Sequence, residues 1–236
     1  MTSVGTIFQR EISSYFLSPI AYVVVAVFTV FSGYFFSVML GITQESTLRY
    51  SLAYTQFILS ILTPVITMRL LAEENKTGTI EPLMTAPVTD FDVVFGKFLA
   101  AWALYNIMIA PTALYIIFLA WVGSPDYGAI IASYIGLILM GGLFISIGLL
   151  VSAVTKNQIV AAVIGIVALL ILLVIGLASY GNEGWFYSVL RYIGTYDHWD
   201  TFTKGIVDTR DVVYYVSFTA LLIFIVVRIV ESRRWR

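Results

Sequence analysis

Long apolar stretches without a charged side chain alternate with short polar breaks along most of the chain. Five of them, residues 12–44, 50–68, 98–125, 127–155 and 157–182, reach the roughly 20 residues that a helix needs to cross a bilayer. A sixth, residues 212–227, reaches that length if Arg228 extends its cation to the membrane surface. The pattern predicts an all-α integral membrane protein with six transmembrane helices, at residues 20–41, 52–71, 98–122, 128–154, 159–180 and 212–230.

The only long polar break among the apolar segments covers residues 73–87. Residues 77–79 (Thr-Gly-Thr) offer capping hydroxyls, and Glu81 and Pro82 suit the first turn of a helix that would follow them. The pattern predicts a short amphipathic helix along the membrane surface; the alternative is a polar loop in which the capping residues occur by chance. The helix would present three apolar side chains, Ile80, Leu83 and Met84. Segment 89–92 (Thr-Asp-Phe-Asp) then matches a capping box and predicts the start of the helix that becomes the third span.

Composition supports a membrane protein, because 60% of the residues are hydrophobic, 11% are charged and the mean hydropathy is +0.94. Strands of a membrane barrel would instead alternate polar and apolar residues in segments of about ten. With both termini inside, nine Lys and Arg residues lie on the inner side and four on the outer side, which favours that orientation. The absence of cysteine excludes disulfides and thiolate metal sites.

Two connections and the N-terminus stand out in this single membrane domain, residues 1–236. Residues 1–18 show apolar positions at helical spacing and end before Pro19, which predicts an interfacial helix or, alternatively, an extension of the first span. The polar connection between spans two and three covers residues 72–97, on the cytoplasmic side in the predicted orientation. The outer connection, residues 181–211, is rich in aromatic residues that suit a membrane interface.

The chemistry that an ion-driven pump or an enzyme needs is missing from the predicted spans. Their interiors hold no Asp, Glu, Lys, Arg or His, and their polar residues Gln56 and Asn106 are expected to form interhelical hydrogen bonds more often than to bind substrate. The single histidine, His198, stands between two carboxylates; we expect solvated polar residues there rather than a metal site. No Gly-x-x-x-x-Gly-Lys-Ser/Thr loop is present, so any dependence on ATP must come from another polypeptide.

Several segments together resemble the type-2 permeases of ABC (ATP-binding-cassette) transporters, and among these the branch named after gliding-motility permeases. The similarity rests on residues 66–74 (ITMRLLAEE), 76–81 (KTGTIE), 83–90 (LMTAPVTD) and 96–97 (GK). It extends to residues 15–22 at the entry to the first span, to the turn at 152–158 and to residues 204–211 before the last span. Pro82 departs from the pattern, because many relatives have leucine there. The match covers most of the chain in the correct order.

The resemblance implies a half-transporter in the cytoplasmic (inner) membrane of a prokaryote. Its expected partners are cytoplasmic ABC ATPase subunits, a second permease copy or homologue, membrane lipid and an accessory periplasmic or membrane protein, but no nucleic acid. The chain itself would bind no cofactor and be no enzyme, since ATP and Mg would bind to the ATPase. The residues implied in coupling are Arg69, Glu73, Glu74, Gly78, Thr79, Ile80, Glu81 and Leu83. A second contact is implied at the cytoplasmic turn formed by Thr155, Lys156, Asn157 and Gln158.

The outer segment would form short re-entrant helices, in which Trp199 and Phe202 line an exit path or anchor the segment at the interface. The function expected from the resemblance is that of an ATP-driven exporter subunit. The alternative is a non-transporting subunit that relays ATPase motion to a periplasmic partner, and a third, less favoured reading is an autonomous channel. Reconstitution separates the first two, because only the exporter moves a solute or lipid when nucleotide is supplied.

Overall fold

A computed structural model describes residues 3–43, 45, 47–78, 89–178 and 184–233, and these residues form helices and connecting turns without a strand among them. We number the α-helices in chain order. Their bounds are α1 Ser3–Leu17, α2 Pro19–Thr43, α3 Arg49–Thr67, α4 Ala72–Thr77, α5 Asp90–Ile109, α6 Leu114–Val122, α7 Tyr127–Val154, α8 Gln158–Ala178, α9 Trp185–Ile193, α10 Thr195–Thr203 and α11 Thr209–Arg233.

Six helical stretches in the described part of the chain are long and apolar enough to cross a membrane, as the sequence predicts. They are Pro19–Thr43, Arg49–Thr77, Asp90–Val122, Tyr127–Val154, Gln158–Ala178 and Thr209–Ser232. The third stretch begins eight residues before the predicted span at 98, because the helix that follows Thr89 continues into the apolar segment without a break. It is interrupted only at Ala110–Ala113, a 3₁₀ turn that contains Pro111.

Helices α3 and α7 form the centre of the fold, since most of their residues are buried, whereas less than a third of the apolar stretch of α2, α8 or α11 is buried. Glycines on α7 allow this close packing, because a side chain there would meet a neighbour: Phe202 at Gly136, Tyr105 at Gly141 and Thr67 at Gly148. Gly165 on α8 approaches Pro64 of α3 in the same way. These glycines therefore serve packing within this chain.

The N-terminal helix is separate from the first span, since α1 ends at Leu17 and α2 begins at Pro19. It packs against the start of α5, where a Cβ on Gly96 would lie 2.8 Å from Ile7 Cγ2. The Tyr15 hydroxyl donates a hydrogen bond of 2.9 Å to the carbonyl of Ile66 on α3. Part of the apolar face of α1 is thus covered by the protein itself.

Candidate functional site

The predicted coupling residues fall partly within the described structure and partly outside it. Arg69, Glu73, Glu74 and Gly78 are described, whereas Thr79, Ile80, Glu81 and Leu83 lie outside the described residues. Helix α4 ends at Thr77, and the φ of 72° at the following Gly78 is the left-handed conformation that favours glycine at a helix C-terminus. Gly78 therefore stops α4 just before residues 79–88.

The chain re-enters described structure at Thr89, where the predicted capping box is confirmed. The Thr89 hydroxyl accepts a hydrogen bond of 3.1 Å from the Asp92 backbone N–H, and the Asp92 carboxylate accepts one of 3.1 Å from the Thr89 backbone N–H. Both bonds satisfy N–H groups that a helix start leaves without partners. The polar segment thus returns to the membrane through a well-defined helix start.

A buried lysine joins three elements at this end of the fold. The Lys97 side chain is only 2% exposed, and its Nζ lies 2.8 Å from Glu74 Oε1 on α4 and 3.0 Å from Glu11 Oε1 on α1. Arg10 lies 2.8 Å from Glu11 and 3.6 Å from Glu74, which completes a network of two cations and two carboxylates. We call these four residues the Lys97 network. It connects α1, α4 and α5 by ion pairs in which Lys97 and both carboxylates are largely buried, while the Arg10 side chain is 54% exposed.

Electrostatics in the Lys97 network keep the Glu11 carboxylate charged. Burial alone would raise the pKa of the Glu11 carboxyl, but the ammonium of Lys97 and the hydrogen bonds from Arg10 and Lys97 outweigh burial and lower that pKa below its ordinary value. The sequence analysis used Lys97 as an inner charge and as part of the 96–97 motif, and it did not predict that this lysine is buried. The sequence did carry a signal that this lysine is buried, because its helix face on α5 is otherwise apolar. The apolar residues on that face are Val93, Val94, Ala101 and Leu104, all of them buried.

Arg69 connects the end of α3 to α1. Its guanidinium stacks over the Tyr15 ring, with Cζ 4.5 Å from the ring centre, and donates a hydrogen bond of 3.4 Å to Ser14 Oγ. Glu73 is exposed on α4. The resemblance implied that Arg69, Glu73 and Glu74 hold the second span to the coupling helix. Arg69 and Glu74 contact α1 and α5, whereas the residues predicted to form the coupling helix lie outside the described part of the chain.

A second junction holds α4 to the end of α7. The Ser152 hydroxyl accepts hydrogen bonds of 3.0 Å from both the Leu71 and Ala72 backbone N–H groups and donates one of 3.1 Å to the Met68 carbonyl. The Asn75 side-chain amide donates to the Thr155 carbonyl at 3.1 Å. We call this the Ser152 junction. It holds Thr155, the first residue of the predicted second contact, against α4.

The turn after α7 presents exposed polar side chains next to the Ser152 junction. Lys156 and Asn157 are exposed, and Thr155 and Gln158 are half-buried. The Asn157 carboxamide oxygen accepts a hydrogen bond of 2.9 Å from the Ile159 backbone N–H, which caps α8. The four residues are therefore held in place by helix ends, and two of their side chains point to solvent.

Replacing Ser152 by alanine is expected to lower the free energy of unfolding by about 2 kcal/mol, because two backbone N–H groups and one carbonyl lose a buried partner. Faster hydrogen exchange of the Leu71 and Ala72 amides, with a lower melting temperature, would report the loss. Ser146→Ala is the matched control, since that hydroxyl is equally buried on α7 and donates only to Leu143 of its own helix. Equal exchange in the two variants would contradict the prediction.

At the opposite end, His198 on the short helix α10 is enclosed by α9 and α11, and the expectation that this histidine is solvated is wrong. His198 is 7% exposed and its ring stacks on Tyr214 at 3.9 Å between centroids. Its Nδ1 lies 2.6 Å from Asp211 Oδ1 and its Nε2 lies 3.1 Å from the Tyr192 carbonyl oxygen. Tertiary packing against α11 buries a ring that the local sequence suggested was solvated.

The two aromatic residues proposed for an exit path are both buried within this chain. Trp199 is 2% exposed and Phe202 is fully buried against Gly136 of α7. Gln56 confirms the expected interhelical bond, donating from Nε2 to Thr195 Oγ1 at 2.8 Å. Asn106 instead donates within its own helix, to the Trp102 carbonyl at 2.6 Å. The role of Trp199 and Phe202 along an exit path stays a prediction.

Comparison with known families decides the class of the protein. The profile of the family described as "ABC-2 family transporter protein" matches residues 6–230, which is nearly the whole chain. The chain belongs to the ABC-2 transporter family. A search among curated proteins returned no match.

Family membership and the six apolar helices together define a multi-pass membrane protein that is the permease component of an ABC transporter. Permeases of the ABC-2 family associate with ABC ATPase subunits. In this ABC-2 permease, the Lys97 network and the Ser152 junction connect both ends of the interval 79–88 to the membrane helices.

Proposed function

We propose that this ABC-2 permease is an export subunit whose segment 78–83 docks into a separate cytoplasmic ATPase. Its N- and C-termini are inside, α1 lies along the inner membrane surface, and a second copy or homologue completes the transporter with two ATPase subunits. The observation that carries the proposal is the connection of α1, α4, α5 and α7 around the point where this segment leaves the membrane domain. ATP and Mg bind to the partner, and this chain contributes no catalytic group.

The mechanism follows from how force passes through buried polar contacts. Closure of the ATPase upon ATP binding moves the docked segment, and α4 moves with it. The Ser152 junction passes this displacement to α7, and the Lys97 network passes it to α5 and α1. A packed interior responds to such a push by switching between discrete arrangements rather than by deforming gradually. The spans would thereby alternate between two states that ATP binding biases.

The wider assignment rests on sequence resemblance and charge. Similarity of segments 66–90 and 152–158 to the gliding-motility branch supports placement in a prokaryotic inner membrane. The excess of Lys and Arg on the α1 side supports the proposed orientation. The short helices α9 and α10 then lie at the outer side, where an accessory periplasmic protein would have access to them.

Charge or polarity changes in the docking segment test the proposal. Glu81→Lys and Leu83→Asp are each expected to reduce, at least about tenfold, the amount of ABC ATPase that copurifies with the chain, because one reverses a charge and the other puts a charge into an apolar contact. Stimulation of that ATPase by the permease should fall with it, while the melting temperature of the membrane domain stays unchanged.

Glu45→Lys provides the matched control, since it makes the same charge reversal at an exposed site in the first connection, at the opposite end of the fold. Unchanged copurification and stimulation in both docking variants would defeat the proposal.

Transport itself requires proteoliposomes that contain the permease and its ATPase. Nucleotide-driven movement of a solute or lipid supports the exporter, and its absence despite ATPase stimulation favours a mechanical relay.

A further inference from the structure

An apolar groove runs along one face of the membrane domain between α5, α7 and α11. It encloses about 460 Å³, within the roughly 300–1,000 Å³ that ligand pockets occupy. Among its lining residues none is charged, and the indole N–H of Trp102 is already used, since it donates to the Ile138 carbonyl at 3.1 Å. We call it the α5–α11 groove. Its surface offers contacts almost entirely to hydrocarbon.

A ladder of aromatic rings forms one wall of the groove. Phe91, Phe95, Phe98 and Trp102 follow each other on α5 with nearly parallel rings, at centroid distances of 5.2, 6.1 and 6.4 Å. These flat faces make a continuous apolar strip along the helix axis. A long, thin and flexible ligand fits such a strip better than a compact one.

The length of the groove argues for one leaflet of the bilayer. On α5 it extends from Phe91 to Trp102, and on α11 from Val227 to Tyr215, which at 1.5 Å per residue is about 17 Å. Half of a hydrocarbon core of roughly 30 Å is about 15 Å. A transmembrane helix of a partner would need a groove along the full thickness, whereas an acyl chain of one leaflet needs only this length.

A cation stands at one end of the groove. The Arg228 guanidinium lies over the ring of Phe224, a lining residue, with its Cζ 5.0 Å from the ring centre. The Arg228 side chain is 61% exposed and pairs with Glu231 at 2.7 Å, so part of its fork of donors remains open to solvent. Planar guanidinium groups bind phosphate oxygens in pairs. Other charged residues at this end are Asp90 and Asp92 at the start of α5.

We propose that the α5–α11 groove binds one acyl chain of a phospholipid, whose phosphate lies against Arg228. The lipid would occupy the leaflet on the side of α1 and α4, the side on which the ATPase docks in the proposed function. The bound acyl chain fills the groove between α5 and α11 and moves with these helices. This inference concerns a lipid ligand and holds whether or not the protein exports a substrate.

Native mass spectrometry of the full purified chain tests the proposal with two added lipids, dioleoyl phosphatidylethanolamine and dioleoylglycerol, which lacks the phosphate. Ala220→Trp should weaken retention of both lipids about tenfold, because the indole occupies the space of several methylene groups. Ala120→Trp is the matched control, an exposed alanine on α6 outside the groove. Arg228→Gln should weaken retention of the phospholipid about threefold and leave retention of dioleoylglycerol unchanged. Arg210→Gln, at the opposite end of the fold, should change the retention of neither lipid.

Three results would overturn the proposal. One is Ala220→Trp retaining both lipids like the unmodified chain, or losing them to the same extent as Ala120→Trp. Another is an Arg228→Gln variant that retains both lipids fully, or loses both equally, since either result would show that the phosphate does not contact Arg228. The third is Ala220→Trp separating two copies of the permease without changing lipid retention, since the groove would then be an interface between subunits.

Discussion

Replacing Lys97 by methionine should lower the free energy of unfolding by about 3 kcal/mol, because two carboxylates with little access to water lose their shared cation. Glu11 and Glu74 are 15% and 16% exposed, and Glu74 Oε2 is buried with no hydrogen-bond partner among the described residues. Arg10 remains near both and limits the loss. The melting temperature of the purified permease should fall by roughly 10 °C.

The proposed function gives this variant a second consequence. With the Lys97 network broken, α4 is no longer tied to α1 and α5, so we expect weaker stimulation of the partner ATPase even at temperatures where the permease stays folded. Lys76→Met is the control, because Lys76 is an exposed lysine on α4 outside the network. A melting temperature that stays the same in Lys97→Met would show that the network adds no stability.

Removing the lysine charge together with both carboxylate charges shows whether the loss of stability comes from unpaired charge or from packing. Adding Glu11→Gln and Glu74→Gln to Lys97→Met removes the uncompensated carboxylates, and the stability lost in the single variant should largely return. ATPase stimulation should remain low in this triple variant, because the ion pairs that connect the three helices are still missing. Recovery of both properties would argue against a coupling role for the network.

Replacing Gly141 by alanine should cost about 3 kcal/mol, because one added methyl group meets a ring that cannot move away. A Cβ there would lie 2.6 Å from Cδ1 and 2.7 Å from Cζ of Tyr105. Tyr105 is fully buried, and its hydroxyl donates to the Leu137 carbonyl at 3.0 Å, which holds the ring in place. Thermal unfolding followed by circular dichroism would measure the loss.

The neighbouring residue supplies the matched control. A Cβ on Gly142 would make ordinary contacts, 3.6 Å to Thr219 Oγ1 and 3.9 Å to Phe98 Cζ, so Gly142→Ala should melt within about 1 °C of the unmodified chain. The two variants carry the same change in helix propensity on the same helix. Equal melting temperatures would show that α5 and α7 are not packed as closely as the structure has them.

Local sequence information predicted the helix ends that depend on neighbours along the chain. The Thr89–Asp92 capping box forms because the two partners are three residues apart, so both hydrogen bonds follow once the helix starts. The separation of α1 from α2 at Pro19 follows from the missing backbone N–H of proline. Residues 79–83, which the resemblance assigns to coupling, lie outside the described residues, so their role rests on the sequence and on the proposed experiments.

By itself, the sequence determined that the chain is helical, that six segments are long and apolar enough to cross a membrane and, through its motifs, that it is an ABC-2 permease. These properties depend on runs of residues that are close together along the chain. Only the tertiary structure decided that Lys97 meets Glu11 across 86 residues, that Ser152 holds α4 across 80 residues, and that His198 is buried. Such contacts depend on which helix faces pack together, and a single sequence without that packing does not specify the pairs.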